Sequence, residues 1–106
     1  MKIAINGGYG GFSLTPEAAK RLGIADDGNY TLGMVIVGNE DFGIESDDRY
    51  AFRADPRLIA LIEEMGAAAG GKFATLKVVE IPADVQWEIE EYDGMEWISE
   101  MHRTWR

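Results

Sequence analysis

The amino-acid sequence predicts an α+β fold, a single small domain over residues 1–106 with the element order β-α-β-α-β-β-β. Two segments begin with a capping residue followed by proline, which is typical of helix starts. Other segments alternate apolar and polar residues, as half-buried strands do, and an Asp-Gly pair near the end of the chain indicates a hairpin. We therefore expect a mixed or antiparallel sheet with both helices on one face.

The first strand is predicted over residues 2–6, and a loop with four glycines in residues 7–12 follows it. Glycine adopts positive φ angles and lets the backbone approach other groups closely. The first helix then begins with Thr15 as its N-cap and Pro16 at its first position, and Gly23 marks its end. Strand, glycine loop and helix start are thus expected to form one continuous unit.

The middle of the chain predicts a second strand and a second helix. Residues 31–37 are rich in β-formers and contain a continuous apolar run, which indicates a buried strand. Residues 39–50 form a loop with five acids whose spacing does not match a calcium-binding EF-hand. Asp55 caps the second helix, Pro56 opens it, and it ends near Gly66. Its apolar face is formed by Leu58, Leu61, Ile62 and Met65.

The last third of the chain predicts three strands. Residues 73–81 form the first, and the alternating segment after them forms the second. The Asp93-Gly94 pair then predicts a two-residue turn and a returning strand over residues 97–105. A helix is the alternative for this last segment, because Asp93 with Glu96 resembles a capping box. We favour the hairpin.

Composition and charge restrict the function classes. The 106 residues contain no cysteine and one histidine, which excludes a disulfide framework, a thiolate metal site and a cysteine nucleophile. Nineteen acidic residues outnumber ten basic ones and give a net charge of −9. Because such a chain repels the phosphate backbone, we expect no direct nucleic-acid binding. The scarcity of reactive groups favours a non-catalytic protein with no cofactor and no metal.

The hydropathy of the chain predicts a cytoplasmic protein that does not bind membranes. No segment approaches the roughly 18 apolar residues that span a bilayer. Residues 1–6 are apolar but lack the basic region and the long hydrophobic region of a signal peptide. A domain of this length has room only for small pockets, so a homo-oligomer with sites between subunits also fits the sequence.

Four segments resemble a family of small bacteriophage and prophage proteins that has no established activity. They are residues 5–14, 53–56, 76–82 and 87–105, the last of which ends in His-Arg-Thr-Trp. The resemblance implies a phage-encoded accessory protein, and small phage proteins of this type often block host defences. It would then act in the cytoplasm of the host cell. Relatives often carry cysteine where this chain has Gly8, so any thiol function in them is missing here.

The glycine loop is the first candidate site. Free N–H groups at a strand–loop–helix junction favour an anion such as phosphate, although neither the GxGxxG fingerprint nor the P-loop is matched. In the functional interpretation Tyr9 stacks on a base or a partner, and Ser13 or Thr15 contacts phosphate. In the structural interpretation Tyr9 and Phe12 fill the core. The predicted ligand-binding residues of the loop are Gly8, Tyr9, Gly10, Gly11, Phe12 and Ser13.

Basic and aromatic residues elsewhere complete this predicted ligand site. Guanidinium groups pair with phosphate or carboxylate through two parallel hydrogen bonds. The ligand-binding residues predicted outside the loop are Arg53, Arg57, His102 and Arg103. The structural alternative for the arginines is pairing with the chain's own acids, such as Asp47 and Asp48. A lone histidine beside apolar residues is, as a rule, structural.

The predicted hairpin is the second candidate site. Eight acids and no basic residue occur between positions 80 and 100. In the two-residue register Glu91 faces Glu96, and like charges directly opposite each other are unfavourable. The two carboxylates are then tolerated, bridged by a cation or available to a basic partner, whereas the structural alternative is a solvated face that protects a sheet edge. The predicted partner-binding residues are Glu88, Glu90, Glu91, Asp93 and Glu96.

Two binding functions follow from these candidates. In the first, which we favour, the protein sequesters a small phosphorylated host molecule at the glycine loop. In the second, the acidic hairpin docks on a basic surface of a host defence protein and inhibits it. An enzyme is the weakest interpretation, because the chain offers only scattered carboxylates and one histidine.

Overall fold

A computed structural model describes residues 1–24 and 33–100, and this part of the chain contains two α-helices and four strands. In chain order these are β1 Lys2–Asn6, α1 Pro16–Arg21, α2 Pro56–Met65, β2 Leu76–Glu80, β3 Trp87–Tyr92 and β4 Met95–Glu100. Short 3₁₀ helices lie between them at Asn39–Phe42, Ala51–Ala54 and Gly66–Ala69. The predicted α+β class is therefore confirmed.

The described strands form two antiparallel sheets of two strands each. β1 pairs with β2, with Ile3 opposite Val79, and β3 pairs with β4 through the predicted hairpin. The sequence predicts one sheet, and the structure divides these strands between two. The reason is that the hairpin packs on one face of the β1–β2 sheet and does not extend it as a third and fourth strand.

Over its described residues, 33–37, the second predicted strand is represented by a single bridge. Leu14 and Val35 exchange two backbone hydrogen bonds, at 2.9 and 2.8 Å. Leu14 also forms a bridge with Gly70, and its side chain is fully buried. Residues 25–32, which include the start of the predicted strand, lie outside the described residues. With this bridge in place of a strand, the predicted order of elements is consistent with the structure.

Both helices begin where their capping residues predict. The hydroxyl of Thr15 accepts a hydrogen bond from the N–H of Ala18 at 3.2 Å, and Pro16 is the first residue of α1. Asp55 accepts from the N–H of Arg57 at 2.9 Å, and α2 ends at the positive-φ residue Gly66. Among the helices described, none is long and apolar enough to cross a membrane.

The β1–β2 sheet lies between the helices and the hairpin. Because side chains alternate along a strand, Ala4 and Leu76 pack in the core that α2 completes. The other side of the sheet packs against β3 and β4. That second core is formed by Ile3, Ile5 and Ile89, with Val79 and Ile98 at its edge. This three-layer arrangement gives the hairpin one buried side and one solvent-facing side.

The hairpin has the predicted turn and register. Asp93 and Gly94 have φ angles of 52° and 89°, as a type I′ turn requires. Glu91 lies directly opposite Glu96, so the helical alternative is wrong over residues 95–100. The rest of the predicted returning strand lies outside the described residues.

The pKa of Asp55 is below its ordinary value, chiefly because the Arg57 guanidinium donates hydrogen bonds to the Asp55 carboxylate. A lowered folded-state pKa contributes stability that is present above the unfolded value of 3.8 and is lost as the pH falls through the folded value. We therefore expect Asp55→Asn, which retains a capping side chain, to show a weaker loss of stability between about pH 5 and pH 2 than the natural protein.

Urea unfolding at a series of pH values measures this effect. The free energy of unfolding of the natural protein should exceed that of Asp55→Asn most at neutral pH, and the two values should converge in acid. Asp47→Asn removes the same charge at an exposed position and is the matched control. A difference between the natural protein and Asp55→Asn that stays constant with pH would contradict the prediction.

Candidate functional site

The inner side of the hairpin holds a buried ion pair. Arg53, in the 3₁₀ helix Ala51–Ala54, donates from Nη1 and Nη2 to the two carboxylate oxygens of Glu96 at 2.7 and 2.9 Å. The two side chains are only 5% and 7% exposed. Glu96 also accepts from the backbone N–H of Asn6, and Arg53 donates to the carbonyl of Ala4. The pair therefore joins β1, β4 and the 3₁₀ helix.

Aromatic rings enclose the guanidinium of Arg53. Its Cζ lies 3.7 Å from the centre of the Phe12 ring, and 5.3 and 5.1 Å from the rings of Tyr50 and Phe52. A guanidinium is attracted to the face of an aromatic ring and also stacks on it. Arg53 thus already has a carboxylate and a ring as partners. Phe12 packs against the core as the structural interpretation of the loop predicts, whereas Tyr9 is exposed and does not.

Asn6, at the end of β1, connects the glycine loop, the hairpin turn and the start of β2. Its Nδ2 donates to the carbonyls of Gly8 and Gly94, both at 2.8 Å. Its Oδ1 accepts from the N–H groups of Gly8 and Thr75 at 3.1 and 2.8 Å. All four hydrogen-bonding positions of the amide are used, and the residue is fully buried.

Close backbone contacts hold the glycine loop in place. A Cβ atom at Gly94 would lie 2.3 Å from the carbonyl oxygen of Tyr9, and a Cβ atom at Gly10 would lie 2.0 Å from the Cβ of Phe73. Side chains cannot approach so closely, so glycine is required at both positions for this packing. The hairpin turn and the glycine loop are therefore packed directly against each other.

The backbone N–H groups at both ends of the glycine loop are bonded within the protein. Gly7 and Gly8 donate to the carbonyl of Thr75 and to Oδ1 of Asn6. Leu14 and Thr15, at the start of the first helix, donate to the carbonyls of Val35 and Ala69 at 2.9 and 3.0 Å. These N–H groups are thus not available to an anion.

The structure separates the predicted ligand-binding residues of the loop. Ser13 is 1% exposed and lies so close to Gly71 that a Cβ there would be 2.2 Å from the Ser13 hydroxyl. Tyr9, in contrast, is 64% exposed, and Gly11 has open space around it. Only the tip of the loop therefore faces solvent.

Only one of the two described basic residues of this prediction lies at the loop, where Arg53 packs against the Phe12 ring. Arg57 donates to both carboxylate oxygens of Asp55 and to the carbonyl of Phe42, at 2.7 to 2.9 Å. Arg53 and Arg57 are thus paired internally, but with Glu96 and Asp55 and not with the predicted Asp47 or Asp48. The other two residues of this prediction, His102 and Arg103, lie outside the described residues.

The other side of the hairpin faces solvent. We call its side chains the outer hairpin face, and they are Glu88, Glu90, Tyr92, Met95, Trp97 and Ser99. Tyr92 and Trp97 are 70% and 43% exposed. Glu90 lies directly opposite Trp97, and its carboxylate accepts a hydrogen bond from the Ser99 hydroxyl. Large aromatic side chains and carboxylates thus share one exposed surface.

The exposed carboxylates of the hairpin are not neutralised by the described part of the chain. Within it, Glu88, Glu90, Glu91 and Asp93 form no ion pair. Glu91 accepts a hydrogen bond from the N–H at the hairpin turn. Glu96 is different, because Arg53 supplies the cation that relieves its opposition to Glu91. Four of the five predicted partner-binding residues therefore remain exposed, whereas Glu96 is part of the interior.

Sequence reasoning missed two residues of this region. Asn6 precedes two glycines, and its bond to the N–H two residues later is an Asx turn, a local pattern that was available in the sequence. Lys77 gave no such signal, because it comes near the loop only through the β1–β2 pairing. A Cβ at Gly7 would lie 3.6 Å from the Lys77 Nζ.

Over the described ranges, no three His, Asp or Glu side chains are placed to hold a metal ion.

Comparisons of the chain with protein-family models, with curated proteins and with solved structures find no match. The resemblance to phage and prophage proteins therefore stays a prediction, and the functional conclusion depends on the geometry of the loop and the hairpin.

Proposed function

We propose that this protein acts by non-catalytic binding and docks its outer hairpin face on a basic surface of a partner protein. The observation that carries the proposal is the exposure of Tyr92 and Trp97 beside carboxylates that have no cation in the described chain. Aromatic residues are enriched in protein interfaces and among the residues that dominate binding energy. The adjacent carboxylates select a partner of opposite charge.

The inner side of the hairpin supports this function because it makes the outer face rigid. Glu96 is bound to Arg53, the turn is bound to Asn6, and Ile89 is buried against β1. A surface that is ordered before binding loses little conformational entropy when a partner docks. The outer face therefore suits tight binding without rearrangement.

Net charge contributes at longer range. The chain carries a charge of −9, which attracts a basic partner during diffusion and accelerates encounter. The same property makes the complex sensitive to salt, because exposed charges are screened over about 8 Å at physiological ionic strength. The resemblance noted in the sequence suggests a host defence protein as the partner class and the host cytoplasm as the location.

Charge reversal on the outer face tests the proposal. In an affinity purification from host-cell lysate, we expect the tagged protein to retain one basic host protein in stoichiometric amount. This host protein should be released as the salt concentration rises. Glu88→Lys/Glu90→Lys should abolish this retention. Glu45→Lys/Asp47→Lys changes the net charge equally at exposed positions outside the hairpin and should retain the partner. Equal retention by both double variants would overturn the proposal.

Sequestration of a small phosphorylated molecule at the glycine loop is the second candidate function. It is favoured by the exposed ring of Tyr9, which is free to stack on a base, and by the Lys77 ammonium near Gly7. It is weakened by the internal pairing of Arg53 and Arg57, which makes the two predicted guanidinium groups unavailable to a ligand.

Thermal unfolding with an added nucleoside triphosphate tests this second candidate. Binding to the folded state alone would raise the melting temperature, and Lys77→Gln should reduce that rise. Lys20→Gln removes an exposed lysine of the same charge at the far end of α1 and is the matched control. The absence of a rise in the natural protein, or an equal loss in both variants, would contradict the candidate.

A further inference from the structure

We infer that the outer hairpin face recognises arginine side chains and discriminates against lysine. This inference deepens the proposed function and rests on it, because it names the chemical group of the basic partner. The observation that supports the inference is the position of the Glu90 carboxylate beside aromatic side chains. Directly opposed residues on a sheet have Cβ atoms about 5 Å apart and diagonal neighbours about 7–8 Å apart. Trp97 is opposite Glu90, and Tyr92 is diagonal to Trp97 on the same face.

A carboxylate next to aromatic rings matches a guanidinium better than an ammonium. The planar guanidinium forms two parallel hydrogen bonds with a carboxylate and can stack on a ring at the same time. It is also more weakly hydrated than an ammonium, so it loses less when the partner docks. Lysine would gain the charge attraction of Glu88 and Glu90 but little from stacking.

The same chain already shows this combination on the other side of the hairpin. There, the Arg53 guanidinium is bound by both oxygens of Glu96 while its Cζ lies 3.7 Å from the centre of the Phe12 ring. A looser form occurs at α2, where Arg57 is paired with Asp55 and lies 5.4 Å from the centre of the Phe42 ring. The outer face presents the carboxylates and the rings without a guanidinium in the described residues.

A second copy of this chain is a poor occupant. The outer face carries Glu88 and Glu90, and Asp93 is exposed at the adjacent turn. Two such faces brought together would oppose acids to acids, which is unfavourable. A partner that supplies arginine is complementary in both charge and ring stacking, and it is therefore the occupant that the surface selects.

Two peptides of equal length and charge, one with arginine and one with lysine as its only basic residues, test the inference with the 106-residue chain. Titration calorimetry at low salt should show the arginine peptide binding about tenfold more tightly. Trp97→Ala should remove most of this preference, whereas Trp97→Phe should keep it. Phe73→Ala removes an exposed ring outside the hairpin and should change nothing.

The outcomes separate the inference from the proposed function. One outcome is that both peptides bind with equal affinity, that Trp97→Ala leaves this affinity unchanged, and that Glu88→Lys/Glu90→Lys abolishes it. That outcome would overturn arginine recognition but would leave docking on a basic surface in place. Binding of neither peptide would overturn both. Circular dichroism of each variant establishes that a loss of preference does not come from unfolding.

Discussion

Replacing Glu96 with alanine is expected to lower the free energy of unfolding by about 3–5 kcal/mol, because it leaves the buried guanidinium of Arg53 without its counter-charge. The carboxylate accepts three hydrogen bonds, two from Arg53 and one from the backbone of Asn6, at 2.7 to 2.9 Å. All three are lost together. Urea unfolding followed by circular dichroism measures the change.

Glu88→Ala, on the outer side of the same hairpin, is the control for Glu96→Ala and should change stability by less than about 0.5 kcal/mol. The double variant Arg53→Met/Glu96→Leu tests the cause, since apolar replacement of both partners of a buried pair is often tolerated. It should recover much of the loss. A Glu96→Ala protein as stable as Glu88→Ala would show that the ion pair does not stabilise the fold.

Replacing Asn6 with alanine should destabilise the protein by about 3–4 kcal/mol, since four hydrogen bonds of a fully buried amide are removed and its part-buried backbone partners lose their bonds. Hydrogen exchange provides a local readout. The N–H groups of Gly8 and Thr75, which both donate to Oδ1 of Asn6, should exchange faster in the variant.

Asn39→Ala is the matched comparison for Asn6→Ala. The Asn39 side chain forms two hydrogen bonds, to the carbonyl of Asp48 and from the N–H of Phe52, both at 2.9 Å. It is only partly buried, so we expect a loss of about 1–2 kcal/mol. Equal losses in the two variants would contradict the role given to Asn6.

Those parts of the fold that depend on near neighbours in the chain could be predicted. Thr15 and Asp55 cap the helices because each side chain accepts from an N–H two or three residues later. Asp93 and Gly94 set the turn, and the turn sets the register of β3 and β4 without any distant contact. Such signals are complete within a few residues.

The features that depend on distant segments could not be predicted. The opposition of Glu91 and Glu96 was visible in the sequence, but not that Arg53, 43 residues away, would neutralise one of them. The alternation of apolar and polar residues in β3 predicts that one side of the strand is buried, but it does not predict which surface covers that side. The division of the strands into two sheets could therefore not be predicted. In the same way, the N–H groups beside the glycine loop are occupied by the carbonyls of Val35, Ala69 and Thr75, which are distant in the chain.

The bond from Asn6 to the hairpin turn has a consequence for how the chain folds. It joins positions 88 residues apart, and Met1 likewise donates to the carbonyl of Ile81 across 80 residues. Closing such long segments delays folding relative to a protein built from local contacts. A chain emerging from the ribosome therefore exposes the apolar side of β1 until β2 and the hairpin have been synthesised, and chaperones have that interval in which to act.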